Sequence, residues 1–269
     1  MRPRGGTHRG DHHNNGITAV AFRFRAHSVA CYRSDVVAPK RRPKRLALRT
    51  SVAVPCIGKH VDLLPDLLRH FERQTVRPDE IAFSISSCTQ LSSVVAAALK
   101  KSPIPTIVKT DPGVAYAGKN RNRAAAATTG AIILYQDADD LPHPQRVELV
   151  KRAFEEHEID HLIHLYTHAT KPAGRYGPGV PGKLTDRYDE ARFKRELAHQ
   201  PAYAYSFKIH NGNIATTRQV FQAVKWDETM RRAQDVVYNK AVYRHFKQNA
   251  VLALPLVFYR QHLSSELRK

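Results

Sequence analysis

A strand that is wholly apolar and yet ends in carboxylates can be built into few folds. Ala131-Ile132-Ile133-Leu134-Tyr135 is an apolar run of strand length, and Asp137, Asp139 and Asp140 follow it directly. Open α/β sheets bind their ligands in the crevice outside the carboxyl ends of the strands. Carboxylates at that place predict a cation and a phosphorylated substrate.

The segments before this run supply the rest of such a sheet. Ser51-Val52-Ala53-Val54 is a short β-branched strand stopped by Pro55. Residues 61–74 space Leu63, Leu64, Leu67, Leu68 and Phe71 at helical intervals, with Arg69, His70, Glu72 and Arg73 across from them. A second strand over 81–85, a second helix over 92–101 and a third strand over 106–108 follow, and an Ala-rich helix over 120–128 leads into the carboxylate strand. This βαβαβ alternation predicts a mainly parallel sheet with helices on both faces. Beyond Pro142 the pattern loosens into a helix over 144–156, a strand over 162–166 and a breaker-rich loop over 170–182, a stretch of the kind that forms binding loops. Order returns with 213–216, helices over 218–224 and 235–246, and a last strand over 251–259. No internal repeat is present.

Charge separates a head from this body. Residues 1–49 hold twelve Lys and Arg against Asp11 and Asp35 alone, out of a net charge of +19 over 269 residues. The run Lys40-Arg41-Arg42-Pro43-Lys44-Arg45 reads as a linker, so the expected division is a basic, disordered extension over 1–49 and one domain over 50–269. An Arg-rich, acid-poor head also fits a transit peptide or a nucleic-acid tail, and the basic balance favours anionic partners. No stretch reaches the roughly 18 apolar residues of a membrane span, and Arg23 and Arg25 interrupt the head's aliphatic patch, which excludes a signal-peptide core. Cys31, Cys56 and Cys88 are odd in number and widely spaced, which indicates free thiols in a reducing, cytoplasmic compartment.

In an extended segment residues i and i+2 point the same way about 6.6 Å apart. Asp137 and Asp139 can therefore share the neighbourhood of one ion, and a hard cation, Mn²⁺ or Mg²⁺, takes oxygen ligands and leaves positions for phosphate oxygens. The competing reading is a plain loop in which Asp140 starts a turn. His157, His161, His164 and His168 have helical spacing, but Leu162 to Tyr166 reads as a strand, which sends His161 and His164 to opposite faces and argues against a metal cluster.

The order SVAVP, LLRHFERQTVRPDEI, AGKNRNRAAAATTGAIILYQDADDLPHP resembles the nucleotide-binding half of family 2 glycosyltransferases of the GT-A fold, over about residues 50–145. The resemblance implies a GT-A-like mixed, mainly parallel sheet with a nucleotide-sugar and metal half over 50–145 and an acceptor half over 146–269. It implies Asp139 on the metal, Asp137 near the ribose or the metal, Arg121 and Asn122 beside the nucleotide, Lys119 as a helper, and Pro55 at the edge of the base pocket. Where the family carries an acidic residue after the second strand, this chain has Ser86, which could accept a hydrogen bond from the base but adds no charge.

The acceptor side of the family is echoed by HNGNIA at 210–215, WDE at 226–228, AQDVV at 233–237 and YRQH at 259–262. The resemblance makes Asp235 the base, with Gln234 in the place of an acid, and sets His262 toward the metal or the diphosphate. Asp235 has a second reading as a helix cap. The implied activity is metal-dependent, inverting transfer of a hexose-like sugar from a nucleotide diphosphate sugar to a glycan, lipid or protein acceptor. The alternatives are an inactive scaffold that binds nucleotide, or nucleic acid through the head, and a nucleotidyltransferase, for which Pro55-Cys56-Ile57-Gly58-Lys59 is a poor phosphate loop.

Overall fold

The computed structural model describes residues 48–168, 185–198 and 211–260, and all that follows concerns these. The chain opens with β1 (Thr50–Ile57), a 3-10 turn (Gly58–Leu63), α1 (Leu64–Glu72), β2 (Glu80–Ser86), α2 (Ser93–Lys101), β3 (Thr106–Asp111), α3 (Ala117–Ala127) and β4 (Ile132–Tyr135). These strands lie side by side in the order β3-β2-β1-β4, all parallel. The alternation read from the sequence produces that arrangement, since each crossover helix returns the chain to the same edge direction.

After β5 (Leu141–Pro142) come α4 (Arg146–Glu156), β6 (His161–His168), α5 (Glu190–Glu196), β7 (Leu197–Ala198), β8 (Ile214–Thr217), α6 (Arg218–Ala223), α7 (Gln234–His245) and β9 (Asn249–Tyr259). Here β8 runs antiparallel between β4 and β6, β9 is parallel to β6, and β5 and β7 pair antiparallel with β9. The sheet of nine strands is therefore mixed. Its parallel part ends where the strand-helix alternation ends in the sequence.

Alternation along β1 sorts the two cores. Val52, Val54 and Cys56 face α1, α2, α4 and α5, whereas Ala53 faces the side of α3, α6 and α7. Ala53 and Ala82 lie in the same buried cluster as Ala124 and Ala125 of α3. Four small side chains let that helix sit low on the sheet, so its first turns end beside the carboxyl ends of β1 and β4. The strand reading of 162–166 holds: His161 meets the edge of Tyr243 of α7 at 5.5 Å, and His164 accepts a 3.0 Å hydrogen bond from Arg146 of α4, on the other face.

Several boundaries differ from expectation. The helix predicted from Val61 opens as a 3-10 turn and becomes α-helical only at Leu64, with Pro65 in the first turn where its missing N–H costs nothing. α5, β5 and β7 carry too few residues to show a period, and the loop expected over 170–182 lies outside the described residues. α3 begins at Ala117, earlier than predicted, because Gly118 is a packing residue and not a breaker. A Cβ on Gly118 would lie 2.2 Å from the Asp227 carbonyl oxygen. Gly118→Ala is thus expected to cost roughly 1–3 kcal/mol by overpacking, read as a lower urea midpoint at unchanged slope.

Candidate active site

The carboxyl ends of β1 and β4 and the amino end of α3 enclose a cleft of about 360 Å³. Pro55, Cys56 and Ile57 form one wall, Ala115 to Ala117 with Asn120 and Arg121 another, and Asp137 to Asp139 the floor. His60 and Tyr259 complete the lining. Of the residues singled out from the sequence, Pro55, Arg121, Asp137 and Asp139 thus meet in one place.

Arg121 joins the two halves of the chain. Its side chain is 2% exposed, with Nη2 donating to Asp137 Oδ1 at 2.7 Å and Nη1 to Gln234 Oε1 at 2.7 Å. The guanidinium carbon lies 4.7 Å over the Trp226 ring, which stacks on Tyr238 of α7 at 4.1 Å. Trp226 is held in turn by Asn122, whose Oδ1 accepts from the Trp226 N–H at 3.0 Å and whose Nδ2 donates to the Trp226 carbonyl and to Glu228 Oε1, both at 2.9 Å.

Asn122 therefore clamps a loop 104 residues away and is not part of the cleft wall. Ser86 does not line the cleft either. It is fully buried, accepts from Asn120 Nδ2 at 2.9 Å and donates to the Ala115 carbonyl at 3.4 Å. Asn120, which the sequence reading passed over, spends its amide on Ser86 and the Cys56 carbonyl and its oxygen on Ser84 and Arg123, tying β1, β2 and α3 together. Lys119 sits half-buried outside the lining. His262 lies outside the described residues.

The carboxylate turn rests on two arginines. Gln136 Nε2 donates to the Asp137 carbonyl at 2.9 Å and the Asp140 carbonyl at 3.1 Å. Its own oxygen accepts from Arg146, a fully buried side chain that also donates to the Tyr135 and Gly212 carbonyls at 2.7 Å each. Burial lowers the Arg146 pKa to about 9, although the charges of Asp137 and Asp140 oppose the change. From the end of β9, Arg260 N–H donates to Asp140 Oδ1 at 3.0 Å and Arg260 Nε to the Asp139 carbonyl at 2.6 Å. The segment predicted to close the site thus reaches it through Tyr259 and Arg260.

Burial, and then the charge of Asp137, raises the Asp139 carboxyl above its usual range, and burial with Asp139 does the same more strongly to Asp140. Burial lowers the His60 imidazole against the pull of Asp139, and its Nε2 is buried without a hydrogen-bond partner. Crowded, partly desolvated carboxylates are a place where a bound cation relieves repulsion. Among the described residues no three His, Cys, Asp or Glu side chains form a group that could hold a metal ion.

Asp235 stands in the first turn of α7, beside Gln234. The helix cap is Ala233, in the left-handed region at φ 55°, so Asp235 is inside the helix and not at the capping position. Its Oδ1 accepts from the Val236 N–H at 2.9 Å. Burial raises the Asp235 carboxyl, with the charge of Arg121 acting against it.

With its curled, mostly parallel sheet, flanking helices and cleft at the strand ends, the fold is GT-A-like. The chain belongs to glycosyl transferase family 2, which residues 51–221 match. No curated protein matches it. Among solved structures it is similar to S. aureus TarS 1-349, with a TM-score of 0.61 at 16% identity over 79% of this chain and 60% of that one. The complex of that protein with UDP gives 0.62 at 17% over 79% and 60%, and the complex with UDP-GlcNAc 0.62 at 17% over 79% and 58%. This chain spans about three fifths of those TarS fragments.

Two outcomes follow from the geometry. Arg121→Met leaves Asp137 and Gln234 without their shared donor, and removal of one partner of a buried pair is expected to cost about 3–5 kcal/mol in a urea titration. Asp139→Asn acts the other way. A carboxyl whose folded pKa is raised above its unfolded value penalises the fold once ionised, fully above the folded pKa and not at all below the unfolded one. The variant is therefore expected to melt higher than the parent at pH 7.5 without divalent ions, with the gain vanishing near pH 3.

Proposed function

We propose that this chain transfers a sugar from a nucleotide diphosphate sugar to an acceptor hydroxyl, with inversion at the anomeric carbon. One observation carries the reading: the Arg121 bridge sets the start of α7, with Asp235, beside a cleft floored by Asp137 and Asp139. The TarS complexes with UDP and UDP-GlcNAc make a uridine diphosphate sugar the first donor to try. Pro55, Ile57 and Tyr116 line the cleft, and this reading puts the base against that wall.

In this mechanism Asp235 accepts the proton of the acceptor hydroxyl as its oxygen bonds to the anomeric carbon. The bond from that carbon to the diphosphate oxygen breaks, and the nucleoside diphosphate leaves from the opposite side. Asp139, with Asp137 beside it, would hold a Mn²⁺ or Mg²⁺ ion, which would supply charge neutralisation for the departing diphosphate. Arg121 fixes the Asp137 carboxylate, and the Arg146 and Gln136 pair fixes the turn that aims both.

A thermal-shift panel of nucleoside diphosphates and their sugars, with and without Mn²⁺, tests the donor site. The largest shift is expected with a uridine compound and Mn²⁺, and no shift with any nucleotide would refute the assignment. Asp235→Asn is expected to keep that shift and to lose transfer by roughly 10²–10⁴-fold, the usual worth of a general base. Binding without turnover in the parent chain would leave a nucleotide-binding scaffold. Because the base works ionised and its carboxyl is raised, the rate should climb with pH along a limb above the ordinary carboxylate range of about 4. A limb at or below that range would contradict the role of Asp235.

A further inference from the structure

Strand β9 is irregular where it runs beside β6. A regular parallel ladder continued from His164 opposite Leu252 would set Tyr166 opposite Leu254, five residues short of Tyr259. Instead the register slips on both sides of Leu165, so that Tyr166 stands opposite Val257, two residues short of Tyr259. Pro255 sits at the slip, opposite Leu165, and a proline has no N–H to give to a ladder. Irregularities of this kind re-aim side chains beside active sites.

The slip brings two aromatic rings together at the carboxyl ends of the two strands. Residues two apart in a strand share a face, so Tyr259 stands on the face of Val257 and diagonal to Tyr166. The rings meet edge to face, with 6.0 Å between centroids and 73° between planes. Tyr259 lines the cleft. Burial, and then the charges of Asp235 and Asp140, raise the Tyr166 phenol above its usual range. One ring therefore belongs to the donor cleft, and the other feels the carboxylate assigned as base. Both residues are half-buried, so each keeps some surface open. The Arg260 N–H, next in the chain, donates to Asp140 Oδ1 at 3.0 Å, which ties this end of β9 to the carboxylate turn.

Resting on the transferase reading above, we infer that Tyr166 and Tyr259 are the wall on which the acceptor lies, and that the acceptor is a saccharide with one ring against them and one hydroxyl toward Asp235. A tyrosine offers an apolar face and a polar tip, and a pyranose offers the complement, a face of C–H bonds rimmed by hydroxyls. A carboxylate beside the wall accepts strong hydrogen bonds from such hydroxyls. A lipid chain laid there would strip water from Asp235 without returning a hydrogen bond.

Cellobiose and N,N′-diacetylchitobiose are the probes, used on the full chain without nucleotide, with geraniol as a lipid alcohol and a Ser- and Thr-containing peptide free of aromatic residues as the other acceptor classes. Tyrosine nitration followed by mass spectrometry should show Tyr166 and Tyr259 protected by at least one disaccharide, with Tyr116 on the donor side unprotected. In saturation-transfer NMR, Tyr166→Leu and Tyr259→Leu should each weaken disaccharide binding by about fivefold or more, while Tyr166→Phe, which keeps the ring, should change it less than about twofold. The nitration pattern of the parent needs no variant, so a misfolded Leu variant does not decide the matter. Failure of both disaccharides to protect the pair, protection of Tyr116 alone, equal losses in Tyr166→Leu and Tyr166→Phe, or protection by geraniol or the peptide but by neither disaccharide would each overturn the inference. Absence of a UDP shift in the parent would count against the donor site alone, since the saccharide readouts do not use it.

Discussion

Everything placed around the cleft depends on one buried guanidinium. Arg121 belongs to a helix of the first half, yet its two donor ends are spent on Asp137, at the floor of the cleft, and on Gln234, at the start of α7. Its flat face rests on Trp226, so the charge is desolvated on one side by an aromatic ring and satisfied on the edge by two oxygens. Gln234 suits this position because Asp137 already supplies the balancing charge. A second carboxylate there would crowd Asp137 and Asp235 with like charge. The residue that departs from the family pattern is thus the neutral acceptor that a singly balanced arginine requires.

The carboxylate turn shows the opposite condition. Asp139 is raised by burial and by Asp137, and Asp140 by burial and by Asp139, while Gln136, Arg146 and Arg260 hold the surrounding backbone. Gln136 just after β4, Arg146 on α4 and Arg260 just after β9 are devoted to a turn whose carboxyls burial holds above their usual range. Such strain at a cleft, with support behind it, is the pattern of a site kept for binding rather than for stability.

How far the sequence disclosed this depends on distance along the chain. The strands, the helices and the carboxylates after β4 were legible because period and turn residues act locally. Residues far apart in sequence were not. Asn122 reads as a nucleotide contact by family pattern, yet it is held by Trp226 across 104 positions. Ser86 reads as a base contact by family pattern, yet it lies outside the cleft lining and accepts from Asn120. His60 and Arg146 gave no local signal at all, since one lies within a 3-10 turn and the other looks like any charge on an amphipathic helix. Asp235 was singled out by the family resemblance, and only the left-handed Ala233 shows that another residue holds the capping position.

The central claim is that Arg121 couples the donor cleft to the helix carrying Asp235. Amide hydrogen exchange measures that directly. Addition of UDP and Mn²⁺ should slow exchange at 117–121 and at 236–239 together in the parent chain. In Arg121→Lys, which keeps the charge but not the two-ended fork, the first segment should still respond and the second should not. Equal protection of α7 in parent and variant, or no response of α7 in either, would show that the two halves act independently.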